Sequence, residues 1–244
     1  MNEIVATSQS IEPQKIEASS LSSNKFNALL YGYNWRSADI TYSTINEIDS
    51  SSFDDYLTDN LKNLVISRSS FSPAQAEAIS TALTKWSNVT SINFSEVKET
   101  DNSFGTLRFG LSDNIDALVS NSSAFAFFPS NIESGGDIWL NANTEDILDG
   151  KFINTFSESS FQEGSFSYSI LVHEIGHALG LKHPFETSSR NFDTLNADDN
   201  VINNTIMSYA ISLDANVVGL TAYPTTPMTE DIRAIQTKKN NKQG

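Results

Sequence analysis

The 244-residue sequence contains no cysteine, only three histidines, and half as many basic as acidic residues, 15 against 30. Without cysteine there can be no disulfide, no zinc–thiolate site and no cysteine nucleophile. Zero cysteine is neutral as to compartment, since it suits a secreted bacterial protein as well as a cytosolic one. The formal charge of −15 repels nucleic acid and anionic lipid, so neither is expected as a partner. No window approaches the roughly 18 consecutive apolar residues of a membrane span. The opening stretch MNEIVATSQSIEPQKIEASS has neither a basic start nor an apolar run, so it does not read as a secretory signal peptide. Tandem GGxGxDxUx nonapeptides, the mark of a calcium-binding β-roll, are absent too.

What is present suits a globular domain. The chain is long enough to bury a core without staples, and 39 % of its residues are hydrophobic, with 15 Phe, 7 Tyr and 3 Trp. Residues 1–24 carry six serines and no aromatic side chain, which reads as a mobile leader or propeptide. SFSPAQAEAISTALTKWSNV reads as a helix: Ser72 is a fair N-cap, Pro73 suits the first turn, and Ala76, Ile79, Leu83 and Trp86 recur at helical spacing. Short strands are expected in SINFSEV, GTLRFGL, AFAFFP and GDIWLN, with Gly135-Gly136 marking a turn before the last. SILVHEIGHALGL has a second helical pattern, with Leu171, Ile175, Ala178 and Leu179 on its apolar side. A polar loop, the segment TIMSY and a short helix near MTEDIRAIQ follow, and residues 237–244 read as a basic, structureless tail.

All three histidines fall within HEIGHALGLKHP, His173–Pro184. On a helix, four residues advance the side chain by about 400°, so His173 and His177 leave the same face one turn apart. That spacing suits two nitrogens about 2.0–2.1 Å from one zinc ion. Glu174 points some 100° around the helix, where it can reach a water held by the metal. His183 can join only if the helix ends first and the chain turns back. Gly180 is placed to end it, because glycine accepts the left-handed conformation that terminates helices, and Pro184 keeps the helix from resuming. Three neutral imidazoles leave a fourth position open, as in a catalytic rather than a structural zinc site. Such a zinc lowers the pKa of water towards about 7. Glu174 can then take a proton and pass it to a leaving amine, which is amide hydrolysis.

At these residues the chain resembles the metzincin metalloproteases and, within them, the serralysins, for which the proline after the third histidine is characteristic. TIMSY, Thr205–Tyr209, is similar to the methionine turn beneath the zinc, with Met207 as its methionine. The resemblance implies that Tyr209 is a further zinc ligand that swings away to stabilise the oxyanion. FSPAQAEAISTALTKWSNVTSINFSEV is similar to the family's first long helix and following strand. GGDIWLN is similar to its edge strand, where an extended peptide pairs, and PMTEDIRAIQ to its closing helix. The likeness runs over about residues 25–236, giving a leader at 1–24, a peptidase domain at 25–236 and the tail at 237–244.

The resemblance implies a zincin-like α+β domain. Its sheet is twisted and mainly parallel with an antiparallel edge strand; two long helices and a C-terminal lobe after Gly180 complete it, with substrate in the cleft between lobes. It implies an endopeptidase with catalytic Glu174 and Tyr209, with Zn2+ on His173, His177, His183 and Tyr209, acting as an extracellular monomer on proteins or peptides in extended form. In serralysins a calcium-binding repeat domain carrying the secretion signal follows the last helix. No such repeats occur here, so a Ca2+ site rests on the resemblance alone; the Asn/Asp cluster at 196–200 could hold a cation but reads rather as a solvated loop. Two rival readings are a zinc-bearing but catalytically degraded peptide-recognition module and a truncated inactive product. The intact Glu174 weighs against the first.

Overall fold

The computed structural model of the chain describes residues 13–15, 25–46, 59–100, 103–115, 119–120, 122–143, 145–148, 151–154, 156–157, 161–210 and 223–240. Of the expected leader only strand β1, Pro13–Lys15, falls among these, pairing antiparallel with β2, Tyr33–Trp35. A 3-10 turn at Lys25–Leu29 precedes β2.

A six-stranded mixed sheet forms the body. Its strands are β3 (Asp39–Thr44), β4 (Arg68–Ser69), β5 (Asn93–Glu96), β6 (Leu107–Ser112), β7 (Ala124–Ala126) and β8 (Ile138–Asn141). The order is β5-β3-β6-β8-β7, with β4 also pairing β6. β3, β5, β6 and β8 run parallel, while β7 lies antiparallel against β8. The mainly parallel sheet with an antiparallel edge is therefore as expected from the sequence. Its edge strand is not. GDIWLN was expected at the edge, but β8 is interior, and the AFAFFP strand adds outside it as β7. All four β8 side chains are buried, as in a strand covered on both faces.

Both faces of the sheet are covered. On one lie α2 (Pro73–Val89) and α3 (Phe166–Ala178), sharing a core with Leu107, Phe109, Ile138 and Leu140. On the other, Trp139 packs with Leu64 and Val65 of a short helix α1 (Asp59–Ile66), with Phe125 and Phe127 against them. Alternate residues of β7 and β8 thus serve different layers. Neither α1 nor β3 was evident from the sequence, nor was the hairpin of β9 (Glu145–Leu148) and β10 (Lys151–Asn154).

α2 begins as its sequence predicts. Ser72 Oγ accepts from Gln75 N, and Gln75 Oε1 accepts from Ser72 N, closing a capping box with Pro73 in the first turn. Its buried face uses Ala78 and Ala82 with Ile79, Leu83 and Trp86, while the expected Ala76 is only half-buried. α3 is buried on every side rather than on one stripe, because α2, β7, β8 and the C-terminal lobe surround it. Trp86 Nε1 donates to Val172 O (3.1 Å), tying α2 to α3. The closing helix α4, Thr229–Asn240, runs four residues into the segment expected to be an unstructured tail. Among the described residues no helix is long and apolar enough to cross a membrane.

Candidate metal centre

The end of α3 builds the site. Gly180 has φ 93°, the left-handed conformation that L side chains avoid. Around it Gly180 N donates to His177 O (2.8 Å) and Leu181 N to Gly176 O (2.9 Å), the paired bonds of a Schellman termination. Trp35 Nε1 takes a further carbonyl of the last turn, Ala178 O, at 2.9 Å. The chain then reverses: Leu181 bridges Leu30 antiparallel, and His183 returns towards the helix.

The three imidazoles converge. His183 Nε2 lies 3.2 Å from His173 Nε2 and 3.1 Å from His177 Nε2. Tyr209 Oη is 2.6 Å from the same nitrogen. His173 Nδ1 faces Ile206 O at 2.7 Å, and His177 Nδ1 faces Leu181 O at 2.7 Å. A carbonyl can only accept, so these Nδ1 atoms carry the protons and each Nε2 presents a lone pair to the centre. Several lone pairs pointing at one another cannot all be satisfied by hydrogen bonds. A cation at their common focus satisfies them: nitrogens 2.0–2.1 Å from a tetrahedral zinc sit about 3.3 Å apart. The donor set therefore fits zinc. Among the described residues these three form the cluster able to hold a metal ion.

Burial tunes the groups. It pushes His173 down to about 3, helped by the neighbouring His183, and His177 well below its ordinary range, so both stay neutral and ready to ligate. Glu174, also buried, is pushed up to about 8 by desolvation, and its Oε2 has no hydrogen-bond partner. Although most of the Tyr209 ring is exposed, desolvation of its hydroxyl beside the histidines, and then the charges of Glu174 and Glu186, raise the phenol above its ordinary value. Glu186 Oε1 is 3.0 Å from His183 Nδ1, close but not aligned as a hydrogen bond.

Met207 is fully buried beneath the helix in the turn Thr205–Ser208, closed by Ser208 N donating to Thr205 O at 3.2 Å. Asp231 of α4 holds this turn from behind, accepting from Thr205 Oγ1 (2.5 Å) and Ile206 N (2.8 Å). Because Ile206 O in turn orients His173, α4 reaches the site through the turn. All the residues singled out by the sequence, His173, Glu174, His177, His183, Met207 and Tyr209, are thus brought to one place. The Asn196–Asn200 cluster is not; it folds on itself, with Asp199 N donating to Asn196 Oδ1 at 2.9 Å.

Sequence reasoning missed several contributors. Gly176 is one, although a glycine inside a helix is itself a signal of close approach. Phe128, two residues beyond β7, sets its ring edge-on to His177 with centroids 5.3 Å apart, and Tyr31 stacks on Phe128 at 3.6 Å. Phe185 stacks on His183 at 5.1 Å. The rim of the site is therefore aromatic on two sides.

The matrixin family model matches residues 54–205, which takes in α1, α2, every strand of the six-stranded sheet except β3, α3 and all three histidines. The chain is 28% identical over 184 residues to a serralysin of Photorhabdus sp. (strain Az29), covering 73% of this chain and 35% of the relative. It is 34% identical over 152 residues to serralysin G of Dickeya chrysanthemi, covering 61% and 27%. Serralysin A of the same organism is 30% identical over 166 residues, covering 68% and 33%. The chain thus spans roughly a third of the length of these relatives.

Proposed function

The chain belongs to the matrixin family of peptidases, and from that premise we propose that it is a zinc-dependent endopeptidase, with the metal on His173, His177 and His183, Tyr209 as a further, displaceable ligand, and Glu174 as the proton carrier. The observation that carries the proposal is the convergence of three imidazole Nε2 atoms whose Nδ1 sides are already engaged or faced by carbonyls and a carboxylate.

Zinc, when bound, supplies Lewis-acid chemistry: it polarises a peptide carbonyl and makes a water acidic near neutral pH. Glu174 supplies the proton path. Its buried carboxylate has a free oxygen, and its apolar surroundings favour holding a proton. It accepts one proton as the nucleophile forms and gives it to the departing amide nitrogen, so the proton count balances. Tyr209 is 68 % exposed, which leaves its ring free to leave His183 and swing. Its phenol stays protonated, so it donates a hydrogen bond as negative charge builds on the carbonyl oxygen.

Substrate lies along β7. Among the described strands β7 pairs on one side only, and an extended peptide can add to its free edge through main-chain hydrogen bonds. α3 packs beside this edge, so a peptide paired there passes the three histidines. Protein or peptide chains in extended form are thus the proposed substrates, and the likeness to serralysins carries with it action outside the cell.

The test is Glu174→Ala, assayed on casein or a fluorogenic peptide with zinc content measured in parallel. Hydrolysis should fall by ~10²–10⁴-fold while zinc stays bound. Full activity with zinc bound would overturn the assignment.

A further inference from the structure

Lys182, next to the third histidine, is only 1 % exposed. Among the described residues its ammonium makes no hydrogen bond to a carboxylate. It donates instead to three backbone carbonyls: Ala28 O, Glu186 O (2.6 Å) and Asp193 O (2.8 Å). Its own N–H donates to Leu29 O at 2.7 Å. An ammonium ringed by carbonyls does the work of a small structural cation, here supplied by the chain itself.

The three carbonyls come from three places. Ala28 lies in the 3-10 turn Lys25–Leu29, whose last carbonyls have no partner within the turn and favour a positive charge. Asn191 Nδ2 takes two others of the same segment, Asn27 O (2.5 Å) and Leu30 O (2.7 Å). Glu186 and Asp193 belong to the loop that follows His183. One buried side chain therefore ties the N-terminal segment to both ends of the loop that presents the third imidazole.

We propose that Lys182 is a positioning residue for His183, its ammonium fixing the returning loop so that the third nitrogen stands at the metal centre before metal arrives. The residue before His183 is held by its N–H and by its side chain. The residue after it, Pro184, is held through Leu195 N, which donates to Pro184 O at 2.8 Å. By holding Glu186 O, Lys182 also keeps the Glu186 carboxylate beside His183 Nδ1. Loss of the ammonium leaves three carbonyls to find other partners, and the loop gains freedom that metal binding must then remove. The inference rests on the reading of the three histidines as zinc ligands.

The test compares zinc affinity, by chelator competition, in the full chain and in Lys182→Met. Removal of groups that orient metal ligands typically costs ~10–100-fold in affinity, and that loss is expected here. Leu64→Ala, in the core on the far face of the sheet, serves as a control for general destabilisation and should keep wild-type affinity. Lys182→Cys supplies the rescue, since the chain has no other cysteine. Alkylated with 2-bromoethylamine while unfolded and then refolded, it regains an ammonium at lysine's length and should regain wild-type zinc affinity; the carbamidomethylated form should not. If Lys182→Met fails to refold, the two alkylated forms decide the matter. Equal zinc affinity in Lys182→Met and wild type, an equal loss in Leu64→Ala, or equal binding by the two alkylated forms overturns the proposal. A wild-type chain that takes up no zinc would instead overturn the reading of the histidines themselves.

Discussion

The sulfur of Met207 packs so closely on Gly176 that a Cβ at residue 176 would lie 2.6 Å from it, with Trp86 Cζ2 3.2 Å away. Met207 and Trp86 are both fully buried, so neither can retreat into solvent. The glycine is therefore the condition under which the methionine turn reaches the ligand helix. Gly176→Ala gains about 1 kcal/mol of helix propensity but overpacks the contact at a cost of about 1–3 kcal/mol. Overpacking should win. The melting temperature should drop, and zinc affinity should weaken, because a displaced turn moves Ile206 O away from His173 Nδ1. A variant that is more stable than wild type would mean the turn is not held against the helix.

Tyr209→Phe separates ligation from catalysis. The hydroxyl 2.6 Å from His183 Nε2 is lost while the exposed ring can stay. Turnover should fall by ~10²-fold or more, as for loss of one oxyanion donor, with KM little changed. A variant whose loss lies wholly in KM would place the phenol in substrate binding rather than in transition-state stabilisation.

Glu174 should also set a pH dependence in the metal-free protein. Burial raises its pKa from 4.5 to about 8, so the folded state keeps a proton that the unfolded chain has released. Between these values folding is weakened as pH rises, and the full penalty is present above about 8. Glu174→Gln removes the titration. In the presence of a chelator its melting temperature should exceed that of wild type by a margin that widens from pH 5 to pH 8. A constant margin would contradict the assigned environment.

The same groups fix the proton inventory of zinc binding. His173 and His177 are held neutral by burial well below pH 6, so they have no proton to give. Glu174 does, and a cation nearby favours its ionised form. At pH 7, calorimetry in buffers of different ionisation enthalpy should find more proton release in wild type than in Glu174→Gln, where only the metal-bound water is left to release one. Equal release from both would mean that Glu174 gives up no proton when zinc binds.

Much of the site was legible because its rules are local. The i, i+4 spacing of His173 and His177, the left-handed Gly180 and the Pro184 stop follow from helix geometry within twelve residues. The Ser72–Gln75 cap is local in the same sense. What escaped is what non-local pairing decides. β7 and β8 both read as short apolar strands, and only the hairpin through Gly136 puts β7 outermost. Lys182 stands among the motif residues with no local signal of its role, and its partner Ala28 is 154 residues away. Trp35, which takes the Ala178 carbonyl, is 143 residues from it. No periodicity within a segment carries such pairs.

The most direct test is metal analysis of the purified chain together with a casein or fluorogenic-peptide assay, before and after chelation. The account predicts one zinc per chain, hydrolysis abolished by the chelator and restored by added zinc. A chain that binds no stoichiometric metal, or whose hydrolysis is indifferent to the chelator, would contradict it.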